Sequence, residues 1–514
     1  MDVFEQGGFD IMIGNPPYIQ LQKMGKETDI LQTEKFETFK RTGDIYTLFY
    51  EKGINLLKDN KGVLTYITSN TWMRTKFGEG MRNFFVSKSN PIKLLNFEDT
   101  KIFPSATVEV NIMLTKKETW LNNLHAVAIK GDYLPGMSIN DYLNKKQIVL
   151  TVLDKESWII VEKEDFDIKK QIEDKGILLM DWNLDFYRGF LTGFNDAFFI
   201  DEETREELVS IEPECEKIIK PLLRGRNIHK YNYEFDNLYV LFIPWHFPLQ
   251  DDPIISGASK IAEKAFEKEY PATYNHLKQF KISLSSRNKS ETGIRYEWYA
   301  LQRAAATYSD EFEKEKIVWL SISDKPAFAL DTKKMYVTAP AYIMTSNCNK
   351  YLVTMLNSKA MEWYLDKVSS STGQGTNQWS KIFVEKLPIP QLTEKERKPF
   401  EILADYLTLI NDPEKLYLFE SISNEIVSRF FEDVLNMMVY ELYFEEHMKE
   451  SKIDVLQFVD FEDISQLEIF EEKRDVIQRE YYKLKEKDNP IRNRILLAPV
   501  HSPNIIKRIN ESTL

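Results

Sequence analysis

A chain of 514 residues with 43% hydrophobic and 29% charged side chains is long enough for two or three domains with real cores. No apolar run reaches the length of a membrane span, and residues 1–20 lack the basic, apolar, small-residue order of a secretory signal. Two cysteines, Cys215 and Cys348, exclude a disulfide framework or a zinc site, and six scattered histidines offer no ligand spacing, so no metal is expected and a reducing cytoplasm fits. The net charge of −13 is concentrated: residues 401–470 hold 17 acidic and 4 basic side chains, leaving the rest of the chain neutral in sum.

The first predicted element is a short apolar run, Phe9-Asp10-Ile11-Met12-Ile13, ending at Gly14 and followed by Asn15-Pro16-Pro17-Tyr18. It has no helical period and stops at turn residues, so it reads as a buried strand of an α/β sheet. Neither proline has an N–H, and Pro16 drives Asn15 out of the α region, which makes a stiff extended loop at the C-terminal end of a strand. Open α/β sheets place their chemistry there. Such a loop suits a poor nitrogen nucleophile, the exocyclic amine of adenine. The Asn15 side-chain oxygen and the Pro16 carbonyl would accept from its two N–H bonds, and the Tyr18 ring would stack on a base taken out of its duplex.

Gly-Asn-Pro-Pro-Tyr behind a Phe-Asp strand resembles the signature of the S-adenosylmethionine-dependent amino-methyltransferases. The surrounding chain resembles the gamma-type adenine-specific (N6) DNA methyltransferases of bacterial restriction–modification systems, above all the fused restriction–methylation polypeptides with a Taq-like target-recognition domain after the methylase. The resemblance implies a Rossmann-like methyltransferase sheet, a catalytic loop of Asn15, Pro16, Pro17 and Tyr18, cofactor contacts at Asn15 and Pro16, and double-stranded DNA as partner. In that family a glycine-rich loop and a ribose-binding acid precede the tetrad by about half a domain. Here only fourteen residues precede Asn15, so the remaining cofactor contacts are expected on an N-terminal half acting in trans, with any nuclease also upstream. Gly78-Glu79-Gly80 and Gly373-Gln374-Gly375 follow no apolar strand and are rejected as that loop.

Residues 19–42 are polar and correspond to the family's flexible loop over the target base. Thr47 to Lys58 has helical spacing and ends near Asn60-Lys61-Gly62; Gly62 to Thr68 is the next strand, followed by Ser69-Asn70-Thr71-Trp72. Arg74 and Lys76 follow and are candidate phosphate contacts, although a solvated helix face explains them as well. Two further strands, at Leu94–Phe97 and Val108–Leu114, flank Ile102-Phe103-Pro104, and the resemblance makes Phe103 a second wall of the base pocket.

The strands loosen after Lys117, so the C-terminal half of a methyltransferase catalytic domain is expected over residues 1–120. A mixed α+β target-recognition domain is expected over 121–392 and an α-helical region over 393–514. Trp182 to Ile200 resembles the opening of the family's recognition domain and offers Thr192 and Asn195; Ile218 to Ile228 offers Arg224 and Arg226. Residues 271–303 carry six basic and two acidic side chains among aromatics, which puts Arg287, Lys289 and Arg295 on a face suited to phosphates. Glu396-Arg397-Lys398 fits a nuclease Glu-x-Lys only by chance, since it opens a helix without a partner aspartate. Two readings of function compete: an adenine-N6 methyltransferase portion completed by another half, and a catalytically silent DNA-binding or specificity module. Release-factor and ribosomal RNA methyltransferases share the tetrad but are compact chains with a complete cofactor domain.

Overall fold

The computed structural model describes every residue except 1–2, 99–101, 103–108, 130–132, 134–135, 154–156, 159, 161–162, 288–295, 306, 324, 369–376, 416–417 and 513–514. The chain is mixed α/β and divides into two compact units, residues 1–170 with 364–378, and residues 171–363 with 379–514. No helix among the described residues is long and apolar enough to cross a membrane.

The first unit is built on a six-stranded sheet. Its strands are β1 (Ile11–Gly14), β2 (Val63–Ser69), β3 (Asn90–Phe97), β4 (Val110–Lys116), β5 (Leu124–Ile129) and β6 (Ile148–Leu150), in the order β1-β2-β4-β3-β5-β6. β1 runs parallel to β2 and β3 to β5, whereas β4 is antiparallel to both of its neighbours. The sheet thus runs past residue 120, because β5 and β6 extend it, and the division falls inside the helix Lys163–Lys175.

Helices α2 (Tyr46–Leu56) and α3 (Glu79–Lys88) cover one face. Tyr46, Tyr50, Ile54, Phe84 and Phe85 pack there on Leu64, Tyr66, Leu94 and Met113. The opposite face is covered at one end only, where Phe97, Val110, Val127 and Ile129 meet Tyr142 and Leu143 of α4 (Ile139–Lys146). The register sets Ile11 opposite Val63 and Ile13 opposite Thr65, on that second face. Ile11 is 65% exposed and Ile13 78% exposed. The expected interior strand is an edge strand among the described residues, with Met12 packed on the covered face and Ile11 and Ile13 on the uncovered one.

Residues 19–42 are not a bare loop. They hold α1 (Lys26–Thr33), and Thr28 donates its hydroxyl to the Leu21 carbonyl. Buried Glu51 of α2 accepts from the backbone N–H groups of Glu37 at 3.1 Å and Thr38 at 2.8 Å, tying the segment down.

The second unit contains two four-stranded sheets. One has the order Tyr336–Val337, Ile219–Leu223, Leu238–Leu241, Phe199–Asp201; the other Phe328–Asp331, Lys316–Leu320, Ala341–Thr345, Asp185–Arg188. Long helices at 394–410, 424–443 and 470–485 belong to the same unit. Their brace on the strands is polar: Lys230 meets Glu432 at 2.8 Å and the Asn232 side chain donates to the Thr408 carbonyl at 3.1 Å. Glu396 serves as a helix cap, its carboxylate accepting from the Thr393 N–H at 2.9 Å while the Thr393 hydroxyl receives the Glu396 N–H.

Candidate active site and nucleic-acid interface

β1 delivers its last residue, Gly14, onto the ring of Tyr66, and the chain then leaves the sheet as an irregular segment. Asn15 and Pro17 are exposed, Pro16 is buried and Tyr18 is half-buried. The buried proline anchors the turn and leaves the Asn15 amide on the outside. The Tyr18 hydroxyl donates to the Ile67 carbonyl at 3.2 Å, and its ring meets Tyr46 edge-on with centroids 6.1 Å apart at 83°. The phenol is thereby tied to β2 and α2, and its ring packs against both apolar clusters of the sheet. Burial pushes the phenols of Tyr18 and Tyr46 up, so both are neutral donors at physiological pH.

Beyond β2, the chain builds a polar cluster that the sequence did not reveal. The Asn70 side-chain amine donates to Asn96 at 2.9 Å and to Glu109 at 3.1 Å, and Asn96 donates to Glu98 at 2.8 Å. Arg74 joins the cluster through Glu98 at 2.9 Å, with both side chains largely covered, whereas Lys76 is exposed. Of the two expected phosphate contacts here, the geometry thus gives Arg74 a local partner and leaves Lys76 on the surface. Phe103 lies outside the described residues. No spacing rule links positions 70, 74, 96, 98 and 109; the antiparallel pairing of β4 with β2 and β3 brings them together.

In the second unit, Thr192 links Asn195, which is exposed, to Arg287, which is buried. The Thr192 hydroxyl donates to the Asn195 side chain at 2.5 Å. Arg287 is 6% exposed and donates to the carbonyls of Thr192 at 2.6 Å, Trp298 at 2.6 Å and Leu284 at 3.0 Å. Burial lowers its pKa. The guanidinium is committed to the interior, which corrects the expectation of a phosphate contact: a count of basic letters does not register which way they point. Gly193 has φ +75°, and a Cβ there would stand 2.6 Å from Cδ of Arg287, so this clamp requires glycine. Arg226 is 70% exposed with Asp236 3.8 Å away, and Arg224 is half-buried. Lys289 and Arg295 lie outside the described residues. Trp245 and Tyr296 stack with centroids 5.1 Å apart at 12°, a pairing no motif announced.

Residues 1–103 match the Eco57I restriction-modification methylase family and residues 220–389 match the TaqI-like C-terminal specificity domain. Among curated relatives, the type II restriction enzyme and methyltransferase RM.Eco57I of Escherichia coli is 24% identical over 77% of this chain and 41% of its own length. The type II methyltransferase M.BanIII of Aneurinibacillus aneurinilyticus is 23% identical over 74% of this chain and 69% of its own. Among solved structures, the type IIL restriction-modification enzyme MmeI in complex with DNA aligns over 98% of this chain and 57% of its own, with 12% identity and a TM-score of 0.48. The chain spans about two fifths of the first of these relatives. Similarity to a restriction–modification methylase and similarity to a TaqI-like specificity domain thus occur in one chain, over separate segments.

Proposed function

We propose that the chain is the catalytic-loop and target-recognition portion of a site-specific DNA adenine-N6 methyltransferase of a restriction–modification system. The observation that carries this reading is the loop itself: Gly14-Asn15-Pro16-Pro17-Tyr18 at the C-terminal end of a strand, within the segment matched to a methylase family, with Asn15 exposed beside a ring tied to the sheet. In the proposed reaction the target adenine leaves its duplex and stacks on the Tyr18 ring where that half-buried side chain reaches solvent. Its amine donates to the Asn15 side-chain oxygen and the Pro16 carbonyl, two acceptors set in place before the nitrogen becomes tetrahedral. The exposed basic groups, Arg226 of the specificity segment and Lys76 foremost, hold DNA phosphates, while Arg74, Arg224, Lys289 and Arg295 complete the candidate set.

S-adenosylmethionine would supply the methyl group when bound. Among the described residues neither early glycine candidate completes a site for it: Gly78 is pressed against the Trp72 backbone, and Gly80 lies inside α3, so neither forms a ligand-cradling loop after a strand. The open face and unpaired edge at β1 support a reading in which the sheet is part of a Rossmann-like methyltransferase domain completed by a cofactor-binding half. We accordingly assign the catalytic portion to the first unit's sheet, which runs past residue 120 through β5 and β6, target recognition to the part that follows it up to residue 392, and a helical support to 393–514. The same incomplete site favours a second reading for this polypeptide acting alone, that of a DNA-binding module.

Single-turnover methylation beside a DNA-binding titration, with the chain reunited with its cofactor-binding half, separates the two. Asn15→Ala is expected to slow methyl transfer about a hundred- to a thousandfold, the effect of losing one preorganised acceptor, while DNA binding is retained. Unchanged methylation by Asn15→Ala would remove the catalytic role of the loop. Specific binding without methylation by the reunited wild type would establish the binding module.

A further inference from the structure

Resting on that reading, we infer that Tyr46, locked by Thr71, is the positioning residue that aims the ring of Tyr18 at the target base. Tyr46 is the first residue of α2 and fully buried. The two rings meet at 83° with centroids 6.1 Å apart, an arrangement that sets the tilt of the Tyr18 plane. The Tyr46 hydroxyl lies 3.1 Å from Oγ1 of Thr71, which in turn lies 3.1 Å from Oγ of Ser69. This tether fixes the rotation of the Tyr46 ring. Tyr18 is then held at two points from different elements, its hydroxyl on β2 through Ile67 and its ring on α2 through Tyr46. A phenylalanine at position 46 would fill the same space, so packing alone does not account for the hydroxyl. What the hydroxyl adds is a link from the ring that backs Tyr18 to the Ser69-Asn70-Thr71 loop after β2.

The test uses the full chain with its cofactor-binding half. Sequencing for 6-methyladenine in DNA from cells expressing both identifies the methylated sequence, and a duplex of that sequence then carries 2-aminopurine in place of the target adenine. Fluorescence gain reports the unstacked base, and thermal melting reports folding. Tyr18→Leu should lose the gain, and Tyr46→Leu should lower it roughly tenfold, the scale of one lost aromatic contact, with binding to a duplex abasic at the target position unchanged. Tyr46→Phe, which keeps the ring and loses the tether, should recover only part of the signal. Thr71→Val should resemble Tyr46→Phe, and the double variant should be no worse than either.

A folded Tyr46→Leu protein with the wild-type gain overturns the inference while leaving the role of Tyr18 intact. If Tyr46→Leu does not fold, additive effects of Tyr46→Phe and Thr71→Val overturn it and non-additive ones uphold it. Failure of the wild type to methylate or to unstack any base removes the functional reading itself, and this inference with it.

Discussion

The ring of Tyr66 lies so close under Gly14 that a Cβ at position 14 would stand 3.0 Å from its Cε1 atom. The same side chain passes Gly53 of α2, where a Cβ would stand 2.8 Å from the Tyr66 hydroxyl. Two glycines thus admit one tyrosine beneath the residue that precedes Asn15. Gly14→Ala should therefore displace the loop rather than the core. Its expected result is a loss of methyl transfer by the reunited enzyme of at least about tenfold, as for other small misplacements of a reacting group, with a melting temperature close to wild type. A Gly14→Ala enzyme with normal single-turnover rate would show that the loop tolerates the shift.

Arg226 and Arg287 should behave oppositely although both lie among the basic residues of the specificity region. Arg226→Ala should weaken DNA binding and reduce the salt slope by about one, without a change in stability, because its pairing with Asp236 is exposed and long. Arg287→Met should destabilise the fold, by roughly 1–3 kcal/mol for each carbonyl stranded in the interior. Denaturation midpoints beside salt-dependent binding titrations separate the two. Equal stability of wild type and Arg287→Met would show that the clamp is dispensable.

A pH effect is expected in the helical region. Burial would raise the Asp463 carboxyl, but the Lys398 ammonium at 2.5 Å and the Ser465 N–H at 2.8 Å outweigh it and hold the group down at about 2, below its usual 3.8. A carboxyl depressed on folding stabilises above its unfolded pKa and loses that contribution as pH falls through the folded value. Wild type should therefore lose stability between about pH 4 and pH 2 more steeply than Asp463→Asn, seen as converging denaturant midpoints. Parallel curves would mean that Lys398 does not hold this carboxylate.

These cases show which parts of the molecule its letters carry. The loop at Asn15 is contiguous, and its prolines and glycine state their own backbone conformation, so it is readable without a fold. So is the cap at Thr393 and Glu396, whose spacing is that of one helical turn. The edge position of β1 is not readable, because Ile11-Met12-Ile13 spells the same apolar run whether or not a strand lies beyond it. Nor is the contact of Tyr18 with Tyr46, nor the direction of Arg287, since both depend on how distant elements pack.

That edge gives the last prediction. Ile11 and Ile13 are apolar side chains on a sheet face, yet neither is covered, so a change there costs the isolated chain little. Ile13→Asp should leave the melting temperature of the chain within the shift of about 0.5 kcal/mol typical of surface changes. Should a cofactor-binding half dock on this face, the same aspartate would be buried without a partner. Association with that half should then fall by about 3 kcal/mol or more, a hundredfold or greater. Calorimetry with S-adenosylmethionine supplies the second readout. The isolated chain should bind it weakly or not at all, the reunited pair should bind it, and the pair carrying Ile13→Asp should revert toward the isolated chain. Micromolar affinity for the isolated chain, or undiminished pairing by Ile13→Asp, would mean that this face is not where the methyltransferase sheet is completed.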